Sequence, residues 1–240
     1  MAEVRVGCSG FMYNHWRGVF YPEDIPKGKW FDYYTTRFDT VELNVTFYRL
    51  PKPSSFKRWY SNSPEGFCFS LKGSRLITHL KRLKGVEEPL ENLLSLSSLL
   101  REKLSVMLWQ FPPGMERDLQ ALEEFLKLLK KWKIRSAFEF RNPSWIDREV
   151  TELLKHHGQS YCQADWPEFN LDLPVTADFI YIRRHGQGGR YNSCYTDEQL
   201  KADAKRIRGY LKKGLDVYIY FNNDAHGYAP KNATTLKELI

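Results

Sequence analysis

The chain has 240 residues, 42% of them hydrophobic, with 15 Phe, 14 Tyr and 7 Trp, enough to bury a sizeable core and to exclude a mainly disordered chain. Lys and Arg number 36 against 29 Asp and Glu; the net charge of +7 favours anionic partners without demanding nucleic acid. No window supplies the roughly 20 apolar residues of a membrane span, and MAEVRVGCSG lacks a basic-then-apolar leader pattern, so the sequence reads as a cytoplasmic protein.

Residues 3–8 read as a first strand, and Gly7 and Gly10 let the chain turn into a loop bearing Tyr13, His15, Trp16 and Arg17, aromatics suited to a pocket wall or to capping one end of the fold. A helix over 30–38 precedes a strand over 40–44, in which Glu42 and Asn44 share a face. Phe47, Tyr48 and Arg49 leave that strand, Pro51 and Pro53 stiffen the loop, and 54–61 can form a helix. A third strand over 67–71 ends at Lys72, with His79 in the SRLITH segment beyond it.

Pro89 can open a helix running through Leu93, Leu96 and Leu100, and a fourth strand over 104–109 places Gln110 at its polar end before Pro112 and Pro113. Asp118 begins a helix whose Leu119, Leu122, Phe125, Leu126 and Leu129 recur at helical spacing, while Lys127 to Lys133 read as its solvated face. The most informative stretch is AFEFRNPSW at 137–145. Strand alternation puts Phe138 and Phe140 on one face and Glu139 and Arg141 on the other, so one face packs and the other is polar. Pro143 then stops the strand, Ser144 can cap, and 145–157 reads as a helix.

A sixth strand over 160–164 carries Asp165 and Trp166 at its tip, and a loop over 167–176 leads to a strand over 179–183. Arg183 and His185 face the same way if extended geometry continues between them; Gly186, Gly188 and Gly189 then form a mobile loop with Arg190 and Tyr191. Thr196 opens a helix to about residue 210, a strand over 215–221 ends in Asn222, Asn223 and Asp224, with His226 and Gly227 beyond, and 232–240 closes as a helix. The four cysteines, Cys8, Cys68, Cys162 and Cys194, form no CxxC pair and read as buried free thiols. Eight strands separated mostly by helical segments point to parallel pairing, which a closed barrel and a doubly wound sheet both satisfy.

Six blocks decide between them: VELNVTFYRLP at 41–51, LKGSRLITH at 71–79, WQFPPG at 109–114, EFRNPSW at 139–145, YIRRHG at 181–186 and YFNND at 220–224. In this order, over nearly the whole chain, they resemble the domain-of-unknown-function 72 family, also called YecE-like; Phe11 stands where the pattern has Trp. The resemblance implies an α/β fold, a single TIM-type (β/α)8 barrel over 1–240 with room for irregularity, and implies no activity.

In such barrels the active site lies at the C-terminal strand ends. There the sequence gathers Glu42, Asn44, Lys72, Gln110, Glu139, Arg141, Asp165, Arg183, His185, Asn222, Asn223 and Asp224, with Tyr48 close by. Three chemistries fit. Glu42 and Glu139 could divide acid and base work as in a glycosidase. Glu139, Asp165, His185 and His79 could hold a divalent metal, whose presence the sequence leaves open. Lys72, Arg141 and Arg183 could clamp a phosphate or carboxylate, with Asn222 and Asn223 as neutral partners. The favoured reading is a hydrolase-like enzyme on a polar, anionic, even phosphorylated ligand: Glu139 as base or metal ligand, His185 as acid or base, and Lys72, Arg141 and Arg183 as clamps. Its rival is a non-catalytic nucleic-acid binder using Tyr13, Trp16, Tyr48, Trp166 and Tyr191 as stacking platforms.

Overall fold

A computed structural model describes residues 2–167 and 172–240, so the expected 167–176 loop falls at 168–171 outside the described residues. Nine parallel strands alternate with helices: β1 (Val4–Ser9), α1 (Trp30–Thr35), β2 (Thr40–Leu43), α2 (Val45–Tyr48), α3 (Pro53–Asn62), β3 (Cys68–Lys72), α4 (Glu87–Ser97), β4 (Leu104–Gln110), α5 (Leu119–Lys130), β5 (Arg135–Glu139), α6 (Arg148–His156), β6 (Ser160–Tyr161), β7 (Gln163–Ala164), β8 (Phe179–Arg184), α7 (Asp197–Lys212), β9 (Asp216–Phe221) and α8 (Tyr228–Leu239). The sheet runs β6-β5-β4-β3-β2-β1-β9-β8-β7. Its two ends are neighbours in sequence. Ser160 and Tyr161 pair with β5 while Gln163 and Ala164 pair with β8, so one short run divided at Cys162 closes the barrel. The expected sixth strand is therefore two, because its first half bonds to one neighbour and its second half to the other.

Alternation along the strands separates two cores. Outward residues pack under the helices: Phe140 stacks on Trp145 at 4.6 Å, and Phe111 meets Phe140 at 5.0 Å. From α5, Leu122, Phe125, Leu126 and Leu129 join this layer; each such burial contributes about 1.5–3 kcal/mol. Inward residues fill the barrel itself. Lower down these are Val106, Leu108, Ala137, Cys162, Ala164, Phe179, Tyr181 and Tyr220, with the Tyr220 hydroxyl bonded to Thr40 Oγ1 at 2.7 Å and Ser70 Oγ at 2.9 Å. Two residues further along β2, β3, β5 and β8 the filling becomes ionic, with Glu42, Lys72, Glu139 and Arg183.

Local signals explain most element ends, with two corrections. Asp118 caps α5 by accepting from the Ala121 N–H and Thr196 opens α7, as the sequence suggests, with Gln199 completing a capping box there. Ser144 caps nothing: Asn142 caps the short turn Pro143–Trp145, Asp147 caps α6, and Ser144 Oγ accepts the Arg117 N–H instead. A carboxylate already stands one residue before the helix, so the helix starts later than expected. Asn44 likewise leaves strand β2 and stands just before α2. Among the described residues no helix is long and apolar enough to cross a membrane.

Candidate functional site

Arg183, at the end of β8, organises the upper layer. Its Nε donates to Glu42 Oε2 at 2.9 Å and its Nη2 to Glu42 Oε1 at 2.7 Å, a two-point clamp, while Nη1 donates to Glu139 Oε2 at 2.6 Å. All three side chains are fully buried. Glu42 also accepts from Ser9 Oγ and from the Tyr181 hydroxyl at 2.8 Å. Ser9 Oγ in turn accepts from Arg183 Nη2 at 3.0 Å and Asn44 Nδ2 at 3.2 Å.

These bonds set the protonation states. Burial pushes the carboxyl of Glu42 up, but Arg183, Ser9 and Tyr181 outweigh it and hold the group below its usual value. Burial likewise opposes ionisation of Glu139, yet Arg183, Arg141 and His185 keep it well below the carboxylate range. Burial also disfavours the charged form of Arg183, and the two glutamates more than restore it. The layer is thus built from ions that depend on each other. A buried carboxylate without its cation is the costly state.

Glu139 reaches the second half of the site through its other oxygen. Oε1 accepts from Arg141 Nε at 2.9 Å and lies 3.2 Å from His185 Nε2. Burial lowers the affinity of His185 for a second proton, only partly offset by Glu139, so the ring is neutral near pH 7. A neutral ring beside a carboxylate donates from Nε2, which leaves the Nδ1 lone pair to accept from Asn222 Nδ2 at 3.1 Å. Asp165 stands behind: it accepts the His185 backbone N–H at 2.6 Å and the Tyr195 hydroxyl. Gly186, at φ +88°, makes the turn after His185. Over the cluster, Arg141 stacks on Trp166 at 4.0 Å, and Trp166 and Tyr191 pack edge-on against His185.

Lys72 differs from all of these. It closes β3, still reaches solvent, and lies 4.1 Å over the Phe47 ring. Among the described residues its ammonium has no hydrogen bond or ion pair. Burial, with Arg183 adding, brings it down to about 7, although Glu139 and Glu42 pull the other way. His79, on the same side, is pushed down to about 4 by burial and by Lys72 and Arg141.

A family model described as a protein of unknown function, DUF72, matches residues 5–240. The chain belongs to the DUF72 family. It is 31% identical to a DUF72 family protein from Thermotoga maritima MSB8 of solved structure, with a TM-score of 0.89, covering 99% of this chain and 98% of that one. The UPF0759 protein YunF of Bacillus subtilis is 26% identical over 92% of this chain and 89% of its own length. The UPF0759 protein YecE of Escherichia coli K12 is 29% identical over 52% of this chain and 46% of its own. D-psicose 3-epimerase shares the fold alone, with a TM-score of 0.59 at 9% identity.

In this DUF72 barrel the sequence-nominated residues divide. Glu42, Asn44, Glu139, Arg141, Arg183, His185 and Asn222 form one bonded network, with Asp165 behind it and Lys72 beside it. Gln110 turns aside to donate to the Phe111 carbonyl. Asn223 donates to the Ser193 carbonyl and Asn232 Oδ1, holding a loop, and Tyr48 is 70% exposed outside the network. Asp224 holds the first loop, its carbonyl accepting from Trp16 Nε1 at 3.0 Å. Among the described residues no three His, Cys, Asp or Glu side chains are grouped to hold a metal. Glu139 faces guanidinium groups, Asp165 faces donors, and His79 Nδ1 lies 2.8 Å from Thr78 Oγ1. Of the five proposed stacking aromatics, Trp16 is buried, Trp166 and Tyr191 lie over the cluster, Tyr13 is half-buried and Tyr48 is exposed. Sequence reading missed Ser9 and Tyr181; Tyr181 was reachable, since it shares its strand face with Arg183 two residues on.

Proposed function

We propose that this DUF72 protein is an enzyme that hydrolyses a small polar, anionic ligand, with phosphate esters the leading class, at the C-terminal rim of the barrel. The observation that carries the reading is the charge count of the upper layer. Glu42 and Glu139 are balanced by Arg183 and Arg141, and His185 is neutral, which leaves Lys72, partly exposed and brought down to about 7, without a partner beside them. An anion arriving from outside completes it.

The catalytic roles follow from the Nδ1 lone pair of His185. His185 Nδ1 is held by Asn222 Nδ2, a neutral donor that a water or substrate hydroxyl can displace. His185 then takes the proton of the attacking water and returns it to the leaving group, while Glu139 supports the imidazolium from the opposite nitrogen. Lys72 and Arg141 hold the anion. The two glutamates serve a glycosidase pair less well: both are held ionised and fully bonded, so neither supplies the protonated acid that chemistry needs.

Turnover of 4-nitrophenyl phosphate by the wild-type chain, with loss of about a hundredfold or more in His185→Asn and Glu139→Gln, is the expected result. No turnover by the wild type, or equal turnover in both variants, contradicts hydrolysis by this pair.

A further inference from the structure

Beside the ionic layer lies a cavity of about 600 Å³ between the first loop, the end of β2 and helix α3, a volume within the range of small-molecule sites. Neither Lys72, Arg141 nor His185 lines it. Its apolar wall comes from Phe11, Phe31, Leu43 and Trp59, flat and aliphatic surfaces suited to a planar ring.

The exposed members of the lining carry the sign of the charge. Arg49 and Arg58 have no ion pair among the described residues, and Lys27 leans on the neutral Asn14 Oδ1. The one acid in the lining, Asp32, is paired with Lys29 at 2.9 Å. Apolar walls and two open guanidinium groups specify a ligand with two parts. We infer that this cavity is a second binding site, taking a planar ring joined to an anionic group.

Isothermal calorimetry with adenosine 5′-monophosphate tests it, because the probe has both parts. Adenosine lacks the anion and ribose 5-phosphate lacks the ring. The monophosphate should bind, and adenosine and ribose 5-phosphate at least about tenfold more weakly. Arg49→Ala with Arg58→Ala should weaken the monophosphate about tenfold, while Lys72→Ala leaves it within about twofold. Arg49 and Arg58 are exposed, so this double variant folds, and its turnover of 4-nitrophenyl phosphate reports separately on the rim. Absence of binding, binding untouched by the double arginine variant, or binding abolished by Lys72→Ala overturns the assignment.

Discussion

Both ends of the barrel carry an arginine shared between two carboxylates, and the two triads differ in how much water reaches them. At the C-terminal end Arg183 bridges Glu42 and Glu139, all fully buried. At the N-terminal end Arg135 bridges Asp178 at 2.9 Å and Asp216 at 2.7 Å, with the side chains 34%, 72% and 25% exposed. The distances are nearly the same, so geometry alone would call them equivalent. Their energetics are not. Water screens the lower triad, and exposed pairs contribute about 0.2–1 kcal/mol. The upper triad was taken out of water at a cost that only mutual attraction repays, so removing one member strands the others. Such an arrangement is weak as a stabiliser against an apolar core; what it supplies is a fixed, charged floor beneath an open lysine.

The largest expected effect separates the triads directly. Arg183→Met should destabilise the fold by about 3–5 kcal/mol or prevent folding, whereas Arg135→Ala should cost no more than about 1 kcal/mol in the same urea titration. Equal losses would mean that burial does not distinguish them. Acid should sharpen the contrast. Glu42 and Glu139 have folded values below their unfolded ones, so their stabilisation is complete above about pH 4.3 and is lost as pH falls through the folded values. Urea midpoints measured downward from neutral pH should therefore drop below about pH 4, and a flat profile there would contradict the ionised pair.

Lys72 costs stability where the glutamates add it. Its folded value near 7 lies below the unfolded 10.5, so the unfolded chain binds more protons between these values and stability rises across that window as Lys72 loses its buried charge. Lys72→Met should raise the thermal midpoint more at about pH 6 than at about pH 10. A gain independent of pH would indicate simple packing. Smallest of all, Asp147→Ala should cost about 1 kcal/mol through its cap, and Ser144→Ala less than about 0.5 kcal/mol.

The same contrast shows what the sequence could reveal. Two-residue alternation placed Glu139 with Arg141 and Arg183 with His185, because strand geometry is local: Arg141 bonds Glu139 directly, and Arg183 and His185 are joined through the same carboxylate. The division of the sixth strand at Cys162 was not legible, since it depends on two neighbours from distant parts of the chain. Gln110 and Asn223 look like rim residues in sequence, but an amide takes whichever partner lies nearest, here Phe111 and the Ser193–Asn232 corner. Lys72 was nominated only as one clamp among three. That the arginines are occupied by glutamates, leaving the lysine alone, is a fact of packing.

That fact is best tested by measuring protons taken up when inorganic phosphate binds, by calorimetry at about pH 8 in two buffers of different ionisation heat. Free Lys72 is then largely neutral, and an anion beside it favours the ammonium. Uptake approaching one proton, abolished in Lys72→Met, is the predicted result. Binding without proton uptake, or uptake unchanged in Lys72→Met, would contradict the assignment of Lys72 as the open anion site.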